Sequence, residues 1–201
     1  MILNKIKIYS ISIWIFAVFV SLLINSSHAQ SSDNFETYTD NELRFTIQHP
    51  SNWKPSDSAN PDSVYFTIRY NPEDNLEIGD LTIKARSYFG VSVENPEPHL
   101  DTDTLTLQNQ SLEQYVQGTI DVMPLNSQTL IRQNQVTVGG NVGVKIEYTS
   151  NENSRDQYGF QILTIANGKL YTLSYEDKPL KVPETLPLVN KMVESFRVME
   201  R

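Results

Sequence analysis

From Thr129 to Glu176 the chain runs through four extended stretches, two of whose three junctions are glycine turns, and this pattern commits the second half to an antiparallel sheet. Thr129 to Val138 is the first stretch and the least regular. Val142, Val144, Ile146 and Tyr148 then alternate with more polar neighbours, the mark of a half-buried strand. Tyr158 to Ala166 and Lys169 to Glu176 follow. Gly139-Gly140, or Gly140-Asn141, supplies one tight turn, and Asn167-Gly168 supplies another. Both fit two-residue hairpins, because glycine and asparagine accept positive φ at little cost. Connections this short can join only antiparallel neighbours.

The first half reads the same way. Leu43, Phe45 and Ile47 alternate towards Pro50, which cannot donate to a ladder and so ends the strand. Val64, Phe66 and Ile68 alternate up to Asn71-Pro72, and Leu81, Ile83 and Ala85 mark a third strand. Residues 91–104, with Pro96, Pro98 and four acids, read as a loop. Two helices interrupt the strands. Ser111 with Gln114 three residues later predicts a capping box, followed by an apolar stripe of Leu112, Tyr115 and Val116 that Pro124 stops. Pro183 fits a first helical turn, after which Leu186, Val189, Met192 and Phe196 recur at helical spacing. Strands with segregated helices describe an α+β layered domain.

The N-terminus stands apart. Lys5 and Lys7 precede an uncharged, apolar run from Ile8 to Ile24, and Ser27-His28-Ala29 follows. Positive start, apolar middle and small residues at the end form the pattern of a signal peptide, with cleavage expected before Gln30. An uncleaved membrane anchor is the alternative, since the run sits at the lower edge of a spanning length. Either way the lysines stay in the cytoplasm and the remainder lies outside. The expected organisation is a signal or anchor over 1–29, a flexible lead-in over 30–36 and one domain over 37–201.

There is no cysteine, which excludes disulfides, a thiol nucleophile, thiolate metal sites and a lipidated cysteine together. Residues 1–29 contain two of the 16 Lys+Arg and none of the 24 Asp+Glu, so the rest of the chain has a net charge of −10. Such a field repels a phosphate backbone and disfavours anionic membrane surfaces, whereas cations and basic protein surfaces suit it.

The opening Tyr38, Leu43, Phe45, Ile47 and His49-Pro50-Ser51-Asn52-Trp53 resembles the start of PsbP-like domains. Leu112-Glu113-Gln114-Tyr115, Val138-Gly139-Gly140 ahead of a strand ending Glu147-Tyr148, and Ile165 through Leu173 continue the likeness. Val189, Met192-Val193 and Ser195-Phe196 complete it. The resemblance implies a central antiparallel sheet with helices on both faces, an α/β/α sandwich shared with the photosystem II extrinsic subunit and a Ran-binding nuclear transport factor. It implies a non-catalytic accessory or binding protein. The oxygen-evolving role does not carry over, because the N-terminus is prokaryotic in type and unlike a chloroplast transit peptide.

Candidate chemistry is sparse. The segment beyond residue 29 holds two histidines, His49 and His99, and lacks a Gly-x-Ser-x-Gly elbow or a Ser-x-x-Lys pattern. His49 is expected to be a packed turn residue. Neither glycine turn precedes a helix, so neither reads as a phosphate loop. His99, Asp101 and Asp103 alternate, and in an extended segment they would face one side and hold Ca²⁺, Mn²⁺ or Zn²⁺, with Glu94 and Glu97 nearby. The plainer reading of that stretch is an acidic, solvated loop. Asp74 to Asp80 reads as an acidic hairpin connection, and Asn109-Gln110-Ser111 as an exposed glycosylation sequon. Three functions are therefore expected in descending order: an exported protein-binding module, a divalent-cation binder, and a hydrolase.

Overall fold

A computed structural model describes residues 34–57, 60–69, 76–78, 81–83, 86–95, 98–101, 106–109, 111–152 and 155–200. The expected signal or anchor at 1–29 lies outside the described residues. So do Ala85, Asp103 and most of the Asp74–Asp80 stretch. Residues 34–201 form a compact unit of their own.

In chain order the strands are β1 (Phe35–Asp40), β2 (Phe45–Pro50), β3 (Lys54–Asp57), β4 (Ser63–Arg69), β5 (Leu76–Ile78), β6 (Leu81–Ile83), β7 (Arg86–Glu94), β8 (Pro98–Asp101) and β9 (Thr106–Asn109). Helix α1 (Leu112–Val122) follows, and then β10 (Gln128–Val138), β11 (Asn141–Glu152), β12 (Arg155–Ala166) and β13 (Lys169–Asp177). Helix α2 (Val182–Ser195) and β14 (Arg197–Val198) close the chain. One seven-stranded sheet has the order β10-β11-β12-β13-β7-β4-β3, antiparallel throughout. A smaller sheet has the order β1-β2-β14, and β5-β6 and β8-β9 are separate hairpins.

The glycine turns form as their residues demand. Gly139 and Gly140 take φ +58° and +81°, and Asn167 and Gly168 take +52° and +74°. The capping box is present: Gln114 N donates to Ser111 Oγ and Ser111 N donates to Gln114 Oε1. Helix α1 yields to a 3₁₀ turn, Met123–Asn126, that contains Pro124.

Residues 91–104 are not one loop. Val91 and Val93 lie buried in β7, between β13 and β4 in the sheet, and Pro98–Asp101 pairs with β9. The prolines and acids beyond Glu94 mask a strand whose inward positions, Ser87, Phe89, Val91 and Val93, alternate. Phe35 and Glu36 already belong to β1, so a strand lies inside the expected flexible lead-in.

Strand alternation assigns the helices to opposite faces of the large sheet. Phe160 and Ile162 of β12, with Tyr171, Leu173 and Tyr175 of β13, share a core with Val189, Met192 and Phe196. Leu163 and Leu170, the neighbours that point the other way, pack with Ile146, Tyr148, Met123 and Val116 of α1. Helix α2 and the small sheet, through Phe45 and Ile47, therefore cover one face and α1 the other. Among the described residues no helix is long and apolar enough to cross a membrane.

Candidate functional surface

The buried polar groups are committed to architecture. His49 is 4% exposed, its Nδ1 lies 2.9 Å from the Pro50 carbonyl, and its ring packs 4.9 Å from that of Phe66. It is packed, as expected, but it lies within β2 opposite Glu36 rather than in the turn that its pre-proline position suggests. Asp177 ends β13 in the interior. Ser87 Oγ and Thr185 Oγ1 both donate to its Oδ2, and Lys178 N donates to Oδ1 at 2.8 Å. Thr185 Oγ1 also lies 2.7 Å from the Tyr175 hydroxyl. This network ties β7, β13 and α2 together at one point.

Glu147 of β11 is the second buried carboxylate. Arg132 Nη2 donates to both of its oxygens at 2.7 and 2.9 Å, Lys145 Nζ lies 3.1 Å away, and Tyr158 OH donates at 3.2 Å. Burial pushes its carboxyl up, but hydrogen bonds and charge from Arg132 and Lys145 outweigh this and hold it below the ordinary range. Burial, then the Glu147 charge, pushes the Tyr158 hydroxyl up to about 12. Lys145 also sits 4.3 Å from the centre of the Phe160 ring. A carboxylate held by two cations and a phenol is an ion-pair lock, poorly suited to act as a general base.

The α1 face carries a tyrosine layer. Tyr88 OH donates to Glu176 at 3.0 Å, and Ser150 Oγ donates to the same carboxylate at 3.2 Å. Burial, then the Glu176 charge, raises both Tyr88 and Tyr148. Two glycines make room for rings: Gly90 faces Tyr65 and Gly159 faces Tyr148.

His99 and Asp101 occupy alternate positions of β8, opposite Gln108 and Thr106. Their side chains, like Glu97 and Asp103, lie outside the described residues. Glu94 is exposed at the end of β7. Among the described residues no three His, Asp or Glu side chains cluster to hold a metal. Open clefts lie among the described residues. One of about 280 Å³ is lined by Thr37, Thr46, Ile47, Gln48, Ser195 and Arg197. Another, of about 390 Å³, is lined by Ser, Thr, Asn, Gln and Pro side chains with Asp156 as its one charged group. Neither brings an imidazole to a carboxylate.

What the sequence reading missed is a margin. β10 ends the seven-stranded sheet, and residues Thr129 to Gln135 are all exposed. Its signal is a run from Gln128 to Val138 with one charge, in a chain where one residue in five is charged.

Comparison with known proteins adds a lineage. The sequence profile of the PsbP family matches residues 33–198. No curated protein sequence matches the chain. Among solved structures, cyanobacterial PsbP (CyanoP) from Synechocystis aligns with a TM-score of 0.52 at 16% identity, over 87% of this chain and 98% of that one. The Ran-binding protein Mog1p of Saccharomyces cerevisiae aligns at 0.54 and 12%, over 84% and 97%. LpqN of Mycobacterium tuberculosis, described as involved in cell envelope biogenesis, aligns at 0.53 and 11%, over 83% and 91%.

Proposed function

The chain belongs to the PsbP family, and from that premise we propose that it is a non-catalytic accessory protein that binds another protein outside the cytoplasmic membrane. One observation carries this reading: His49, Glu147 and Asp177, the buried histidine and carboxylates among the described residues, are each engaged by internal partners. Function is then left to the outer surface, where recognition takes place. Mog1p, of similar fold, is named for binding Ran, and a binding role suits this scaffold. Residues 1–29 support an extracytoplasmic setting through Lys5, Lys7 and the apolar run behind them.

The test is cross-linking in intact cells followed by mass spectrometry, with an unrelated exported acidic protein as control. The expected result is a small set of neighbours enriched over the control, found on the extracytoplasmic side. Neighbours identical to those of the control, or confined to the cytoplasm, would overturn the proposal.

A further inference from the structure

The cleft of about 390 Å³ at the end of β11 is walled by side chains of one chemical kind. Thr149 and Asn151 alternate along β11, Thr149 opposite Thr129 of β10 and Asn151 opposite Asp156 of β12, so these four side chains share one face of the sheet. All four are exposed. Asn151 Nδ2 donates to Asp156 Oδ1 at 2.6 Å, which fixes both side chains and leaves Asn151 Oδ1 and Asp156 Oδ2 as neighbouring acceptors. Among the described residues the hydroxyls of Thr129 and Thr149 make no internal hydrogen bond, so each keeps its donor and its lone pairs for a ligand.

Ser127 continues the wall, and it stands where glycine is usual. It closes the 3₁₀ turn in the left-handed region, at φ +56°, with its N–H donating to the Met123 and Pro124 carbonyls. Glycine takes this conformation without a Cβ penalty, so serine here costs stability and places a hydroxyl at the cleft. Asn151 N donates to the Ser127 carbonyl at 3.2 Å and ties this wall to β11.

The lining selects its ligand by exclusion. Among the described residues that line it none is Lys, Arg or His, so a phosphate or carboxylate meets Asp156 and no counter-charge. One carboxylate is too few for a divalent cation that gathers several oxygen ligands. Pro179 supplies the apolar surface, and Leu180 beside it is 89% exposed, which makes an apolar lip and no enclosed pocket for an acyl chain or an apolar side chain. A sugar ring fits what remains. Its hydroxyls donate and accept at once, and one of its faces presents C–H groups. We propose that this cleft binds a neutral saccharide, with adjacent ring hydroxyls on Asn151 and Asp156, a further hydroxyl on Thr149 about 7 Å along the strand, and the C–H face against Pro179 and Leu180.

This goes beyond the protein-binding reading and is tested without a partner, so either can fail alone. Purified full-length chain is titrated by calorimetry with maltohexaose, cellohexaose, mannohexaose and chitohexaose, with polygalacturonate and a Gly-Ser hexapeptide as controls. At least one neutral hexasaccharide is expected to bind. Asp156→Ala should weaken that binding about tenfold and Thr149→Val about threefold, while Glu113→Ala on the exposed face of α1 leaves it unchanged. Circular dichroism checks that each variant is folded. No binding of any neutral hexasaccharide, equal binding of either control, or binding that neither substitution weakens would each overturn the proposal.

Discussion

Substituting alanine for Gly159 sets a measurable cost against a measured contact. A Cβ built at Gly159 would lie 2.7 Å from Cζ of Tyr148, 2.8 Å from its hydroxyl and 2.9 Å from Cε2. Carbon atoms rest at about 3.5–4.0 Å, so the ring would have to retreat by roughly 1 Å. It has little room to do so, because Tyr148 is 2% exposed and packed in the core beneath α1. Overpacking of this kind costs about 1–3 kcal/mol. Replacing glycine also restricts the unfolded chain, which returns about 0.4–1 kcal/mol. The net destabilisation is about 1–2 kcal/mol, or roughly 2–8 °C in Tm for a domain of this size. Urea and thermal unfolding by circular dichroism measure it directly. The same substitution in a Tyr148→Leu background removes the ring tip, and most of the penalty should vanish. A Gly159→Ala protein as stable as wild type, or an equal penalty in both backgrounds, would refute the reasoning.

Thr185→Val removes a donor from buried Asp177 and a partner from Tyr175 while keeping the side-chain shape, so a loss of about 1–3 kcal/mol is expected in urea unfolding. The Glu147 cluster predicts an acid dependence. Its folded carboxyl is depressed, so its stabilisation is complete above the ordinary glutamate value of 4.5 and fades as pH falls through the lower folded value. Urea midpoints from pH 7 down to 3 should fall less steeply in Arg132→Gln than in wild type, and superimposable slopes would remove this role.

The later strands were legible because their turns need unusual backbone. Asn167-Gly168 and Gly139-Gly140 announce positive φ, and the alternation on either side then fixes which residues face inward. Helix α1 was legible from Ser111 and Gln114, whose reciprocal bonds are a local arrangement that needs no tertiary partner. β7 was not, because Pro96, Pro98 and the acids from Glu94 onward read as a loop and hid the alternation of Ser87, Phe89, Val91 and Val93. β14 is two residues long and exists only by pairing with β2, more than 140 positions away. The expected site at His99, Asp101 and Asp103 was read from alternation alone, and sequence marked His49 as structural from its place between Pro50 and the family-like Trp53 turn. It missed the Glu147 lock, whose members Arg132, Lys145 and Tyr158 meet only once three strands are in register. Edge status, the property that singles out β10, belongs to the whole sheet and is written in no single segment.

The strand after α2 has a bearing on truncation. Phe196 fills the main core, β14 hydrogen-bonds to β2, and Met199 N donates to the Arg44 carbonyl, so residues 196–199 close over residues 44–46. A polypeptide cut before Phe196 would keep a hole where that ring belongs, and vacancies of this size cost about 3–5 kcal/mol.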